Sequence, residues 1–170
     1  MSRWFTASVA LAAGIVLQIA LAPQIAIFGV VPNIVFLVVV TVALTQGPVA
    51  GGVTGLIGGL VFDLLGTSVV GPYALVLAVV GYTAGMLSAN LFAEGWLLPV
   101  TVVAVASLSA EVAYGIVLAV LGTGVPFWHA LFTIMLPGAV YQTALAVIAF
   151  PLLARLLRTE RAMKSFRRLA

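Results

Sequence analysis

Two acidic residues, Asp63 and Glu111, lie inside long apolar runs. An ionised group at the centre of a bilayer costs anywhere from about 3 kcal/mol upwards, so intramembrane carboxyls are paired, protonated or turned toward a cavity. Ser107 precedes Glu111 by one helical turn and Tyr114 follows it by three residues, while Tyr141 and Gln142 lie near the start of the last apolar run. These six residues describe a polar cluster in which Asp63 and Glu111 accept hydrogen bonds from hydroxyl or amide neighbours. Three roles fit such a cluster: glue between helices, a contact for a partner's transmembrane helix, or a proton or ligand pathway.

Other chemistry is sparse. His129, the only histidine, stands beside Phe127 and Trp128 on an expected loop and reads as part of an interfacial aromatic belt. Asp63, Ser68 and His129 carry the letters of a catalytic triad but lack the setting of a nucleophile elbow. No Walker loop, dinucleotide fingerprint or HExxH motif occurs. Without cysteine there is no disulfide, thiolate metal site or thiol nucleophile. No catalysis, metal or cofactor is expected.

The elements that hold these residues are membrane helices. Of the 170 residues 64% are hydrophobic and 6% charged, with a mean hydropathy of +1.32. A soluble domain carries about 25% charged residues, so too little charge is present to coat a water-facing surface. The net charge of +3 does not point to nucleic acid, because six of the seven basic residues fall in the last sixteen positions. That bias is an orientation signal.

A span needs about 20 mostly apolar residues. Six are expected, at about 4–21, 33–46, 49–65, 72–91, 97–121 and 137–157, followed by a basic tail, 158–170. Ala20-Leu21-Ala22 imitates a signal-peptidase site. However, Pro23 would follow the cut, and the apolar run exceeds the usual 7–15 residues or so; a retained helix is expected. A short apolar piece, 127–136, and Pro137-Gly138 precede the last span. Six spans put both termini on one side, and the tail makes that side cytoplasmic. The tail, with Arg155, Arg158, Arg161, Lys164, Arg167 and Arg168, is either a plain topology anchor or a short basic helix lying on anionic lipid.

The third span is sorted by side-chain size. At about 100° per residue, Gly47, Gly51, Gly52, Gly55, Gly58, Gly59 and Gly66 share one side, Asp63 sits at its edge, and Val and Leu fill the other side. In the fourth span Ala74, Ala78, Gly81, Gly85 and Ser88 form a second small face. Glycine is a poor helix former in water, whereas in lipid a small face lets another backbone come close. A hairpin joining the two faces buries both.

The ordered series Pro32-Asn33, Gly51, Gly55-Leu56, Gly59-Leu60, Asp63, Gly66, Gly71, Ala74-Leu75, Gly81-Tyr82, Gly85, Pro137 and Tyr141 resembles the rod shape-determining MreD family over nearly the whole length. Where the family often has Arg-Pro-Asp, this chain has Val31-Pro32-Asn33, which removes a charge from the mouth of the second helix; Gln142 stands where Asn is common. The resemblance implies a non-enzymatic subunit of the bacterial elongation machinery in the cell membrane. It would associate with MreC, and through MreC with RodA, a class B penicillin-binding protein and MreB filaments. It also implies an all-α fold similar to the substrate-binding (S) subunits of energy-coupling-factor transporters. That likeness supplies an alternative, a subunit that captures a vitamin or other small molecule. Short outer loops without Lys or Arg favour the scaffold. On that reading the small faces carrying Gly51, Gly55, Gly58, Gly59, Gly81 and Gly85, or an adjoining groove, receive the transmembrane helix of MreC.

Overall fold

The computed structural model describes residues 3–27, 29–66, 69–90, 97–122, 124 and 126–166. They form helices α1 (Arg3–Ala20), α2 (Ile34–Gln46), α3 (Pro48–Leu65), α4 (Pro72–Asn90), α5 (Leu97–Val120), α6 (Phe127–Ala130) and α7 (Leu136–Phe166). A 3-10 turn (Ala22–Ile25) follows α1, and a π turn (Leu131–Met135) joins α6 to α7. The sole extended pairing among the described residues is a bridge between Ile27 and Val30.

The helix α2 is the axis of the bundle. It is apolar on every side, and nine consecutive residues, Val35 to Ala43, are buried, as expected for a helix enclosed by others. Its two buried hydroxyls are satisfied locally: Thr41 Oγ1 donates to the Leu37 carbonyl and Thr45 Oγ1 to that of Thr41, both at 2.7 Å. Around it stand α1, α3, α4, α5 and α7. The outward faces carry Val49, Leu56, Leu75, Val105, Ile148 and Leu152, all more than half exposed. A rim this apolar is built for hydrocarbon, not water.

Three helical segments are long and apolar enough to cross a membrane: Pro48–Leu65, Pro99–Val120 and Phe127–Arg155. Three are shorter, Trp4–Ala20, Ile34–Gln46 and Pro72–Leu87. At 1.5 Å per residue the 13 residues of α2 reach about 20 Å, short of the roughly 30 Å hydrocarbon core. The sequence at 127–136 was expected to stand apart from the last helix. Instead the chain stays helical through it, because the π turn shifts the hydrogen-bond register just before Pro137, whose missing N–H would otherwise interrupt it. His129 accordingly lies on a helix, not a loop. The last candidate span ends at Arg155, and the helix α7 runs on to Phe166.

One residue, Gly47, separates α2 from α3. It adopts φ +96°, a conformation open to glycine, and its N–H closes α2 on the Ala43 carbonyl. Pro48 then starts α3, where a missing N–H does no harm.

The most extensive helix pairing is α3 with α4, and it is made by glycine. A Cβ on Gly51 would run into the Gly81 carbonyl, and one on Gly81 into that of Gly51. On Gly55 it would meet the Leu77 carbonyl; on Gly59 it would lie 2.5 Å from Ala74 Cα, and on Gly85 2.5 Å from Pro48 Cα. Gly58 points elsewhere, toward Leu11 of α1 and Val35 of α2. The size-sorted faces therefore interlock within the subunit and leave no room there for a visiting helix. What stays open is the flank of the pair. The Ser88 side chain and the turns around Thr67-Ser68 and Ala93-Glu94-Gly95 lie outside the described residues.

Candidate functional site

Helices that begin inside a bilayer carry N–H groups with no water to bind. Both α2 and α4 begin at the same end of the bundle, where α1 and α3 finish. The side chains that close those two beginnings form the candidate site.

At the head of α2 the dipeptide Pro32-Asn33 is bracketed by two glutamines. Gln18 of α1 accepts from the Ile34 N–H at 2.6 Å and donates to the Pro32 carbonyl at 3.2 Å. Gln142 of α7 accepts from the Asn33 N–H at 2.9 Å and donates back to the Asn33 carbonyl. Asn33 itself caps the helix, its Oδ1 accepting from the Phe36 N–H at 2.9 Å, as N-cap asparagines do. Its Nδ2 donates to the Tyr73 hydroxyl at 2.6 Å, tying the head of α2 to α4. Three helices far apart in sequence thereby converge on one residue.

At the head of α4 the buried Asp63 of α3 accepts three main-chain N–H groups on Oδ2: Gly71 at 2.9 Å, and Tyr73 and Ala74 at 3.1 Å. A carboxylate there also suits the positive end of the helix. Gly71 makes the approach possible with φ +115°. The Tyr73 ring lies between Phe62 of α3 (centroids 4.9 Å apart) and Tyr114 of α5 (5.1 Å, edge to face).

The six residues of the expected polar cluster are thus distributed over separate bonds. Asp63 binds main-chain amides, not the side-chain hydroxyl or amide groups anticipated, because the donors come from the turn that follows it. Ser107 donates to the Ala104 carbonyl at 3.0 Å and lies 3.5 Å from that of Ala139 on α7. Tyr141 donates to the Ile25 carbonyl at 2.6 Å and so pins the 3-10 turn to α7. Glu111 faces the start of α7, its Oε1 4.0 Å from where a Cβ on Gly138 would stand. Tyr114 contributes its ring. Gln18 and Tyr73 are part of the site and were not among the expected residues. Gln18 had a signal, being the sole amide side chain in α1.

Chemically this assembly closes helix ends; it brings no nucleophile to a base. Among the described residues no three His, Cys, Asp or Glu side chains gather as a metal site. Beside the interlocked pair runs an apolar groove of about 430 Å³, with Gly52 and Ala78 at its floor and Val49, Val53, Val79 and Tyr82 along it.

A family model described as rod shape-determining protein MreD matches residues 1–160. No curated protein and no solved structure matches the chain.

Proposed function

Since the chain belongs to the MreD family of rod shape-determining membrane proteins, we propose that it is a non-enzymatic scaffold subunit of the cell-elongation complex, one that holds the transmembrane helix of MreC. Through MreC it joins RodA, the class B penicillin-binding protein and MreB, and supports peptidoglycan synthesis. It crosses the inner membrane six times with both termini in the cytoplasm, in the manner of the transporter S subunits. The shorter helices complete the crossing with their flanking turns, and the basic end of α7 sets the orientation.

The observation that carries this reading is the state of the α3–α4 pair. Its glycines are spent on each other, so the pair is a rigid plate, and the groove on its flank is floored by small residues that let a further backbone approach. MreC lies in that groove. Filling it with Gly52→Leu, where a Cβ has ordinary van der Waals room beside Tyr82, should leave the amount of folded protein unchanged and abolish co-purification of MreC in mild detergent. Undiminished MreC with the filled groove would overturn the site. Recovery of a transporter ATPase module in place of MreC would overturn the scaffold role.

A further inference from the structure

In hydrocarbon a hydroxyl has no water to bind, so it closes on a carbonyl of its own helix or on a neighbour. The threonines of the α3–α4 pair take the first course. Thr54 Oγ1 donates to the Ala50 carbonyl at 2.7 Å, and Thr83 Oγ1 to that of Val79 at 2.9 Å. A phenol stands too far from its own main chain to do the same. Tyr73 and Tyr141 take the second course, the one accepting from Asn33 and the other donating to the Ile25 carbonyl. Tyr82 does neither. No hydrogen bond reaches its hydroxyl among the described residues, and the side chain, 45% exposed, lies along the groove on the flank of the pair.

Its depth rules out relief from the membrane surface. Tyr82 follows Pro72, the first residue of α4, by about 15 Å along the helix. At the other end it packs beside Gly52, which lies about 6 Å from the start of α3 at Pro48. Helical side chains lean toward the N-terminus of their own helix. The ring of Tyr82 therefore leans away from the nearer surface and into the span, over the small floor made by Gly52 and Ala78. Tyrosine is at home in interfacial belts, whereas this one sits below them, where neither water nor a lipid headgroup can serve its hydroxyl.

We propose that Tyr82 is the specificity-determining contact of the groove, and that the helix seated there carries one hydroxyl or amide side chain (Ser, Thr, Asn or Gln) opposite it. This rests on the reading of the groove as the site of MreC. The chemistry narrows the group. Main-chain carbonyls of a membrane helix are already bonded along their own helix, and an ionised side chain is expensive at this depth. A phenol both donates and accepts, so a neutral hydroxyl or amide pairs with it. The floor lets that group arrive: with no side chain at Gly52 and a methyl at Ala78, the incoming backbone comes close enough for a short side chain to reach. A purely apolar helix of the same shape fills the groove and leaves the phenol unbonded, so the groove tells the two apart.

Tyr82→Phe removes the hydroxyl and keeps the ring. The dissociation constant of full-length MreC from the full chain is read by energy transfer between labels on the two proteins in mild detergent. It should rise about three-fold, the average for a hydrogen bond between membrane helices, while the unfolding midpoint of the isolated subunit stays that of the parent. Each Ser, Thr, Asn and Gln of the MreC helix is then replaced by an apolar residue of similar shape. At one position the replacement should weaken binding to the parent and have no effect on Tyr82→Phe, the non-additivity of a direct pair. Gly52→Leu runs alongside as the test of the groove itself. If Gly52→Leu releases MreC and Tyr82→Phe binds it as the parent does, the groove stands and the proposal falls. If Gly52→Leu also binds as the parent does, the reading of the groove falls and the proposal with it. A lowered midpoint for isolated Tyr82→Phe, or a weakening that couples to no MreC position, places the bond within the subunit or with lipid and overturns the proposal. So does a homodimer of this chain that Tyr82→Phe dissociates while MreC stays bound.

Discussion

Replacing Gly55 by Ala tests the interlock directly. The added Cβ meets the Leu77 carbonyl oxygen, with Leu77 C at 2.7 Å and Ala78 N at 3.0 Å. All three are main-chain atoms of α4, so no side-chain rotation relieves the clash. Overpacking costs about 1–3 kcal/mol, and a rigid contact belongs at the upper end. Helix propensity returns about 1 kcal/mol when Gly becomes Ala. The net loss is about 2 kcal/mol, roughly 30-fold in the folded-to-unfolded ratio. The control is one residue from Gly51. At Gly52 the nearest atom to an added Cβ is Tyr82 Cβ at 3.4 Å, an ordinary contact, so Gly52→Ala keeps the propensity gain and loses nothing. The two alanines should therefore differ by about 3 kcal/mol in opposite directions. Equilibrium unfolding in mixed micelles titrated with dodecyl sulfate, followed by circular dichroism, reads both. The reasoning fails if Gly55→Ala unfolds with the parent, or if Gly52→Ala is the weaker of the two.

Further outcomes follow from the same geometry. Gly51→Ala and Gly81→Ala each strike the other's carbonyl, so the double variant should be non-additive by about 0.5–3 kcal/mol in the same titration. Asp63→Asn keeps an acceptor for the N–H groups of Gly71, Tyr73 and Ala74, whereas Asp63→Leu orphans all three at about 1–3 kcal/mol each; the leucine variant should show far less folded protein after extraction. Gln142→Leu leaves the Asn33 N–H unpaired and its carbonyl with the Leu37 N–H alone, and should lower the unfolding midpoint more than Tyr73→Phe, which removes the single bond to Asn33 Nδ2. Asn33→Ala should cost about 1 kcal/mol for the lost cap plus the bond to Tyr73, and Asn33→Asp should restore only the cap.

What the sequence disclosed was whatever a helical period can encode. The glycine faces at 51, 55, 59, 81 and 85 were visible because side-chain size repeats with the turn of the helix, and a face of small residues in lipid has few uses besides close approach. The period does not say which neighbour arrives. Gly58 lies among the same glycines yet meets α1 and α2, and the interlock occupies a face whose period suits a partner helix equally well. Asp63 was conspicuous as a carboxylate in an apolar run, but its donors are main-chain groups eight to eleven residues later, and main-chain groups leave no mark in residue types. The Asn33–Gln142 bracket joins positions 109 apart; neither residue alone announces the other. The π turn is a matter of register, not composition, and so Pro137 read as a stop.

The thirteen residues of α2 have a further consequence, for the order in which the protein is made. A segment that short, with the N–H and carbonyl of its capping residue Asn33 held by a side chain at position 142, has no finished resting place when it leaves the ribosome. Until the seventh helix has been synthesised, half of its seal is missing and its polar head must be sheltered by the translocon or by α1 alone. Biogenesis therefore completes backwards: the last helix inserted locks the second, and a chain truncated before residue 142 should be recognised as incomplete by quality-control proteases even though its earlier helices are all present.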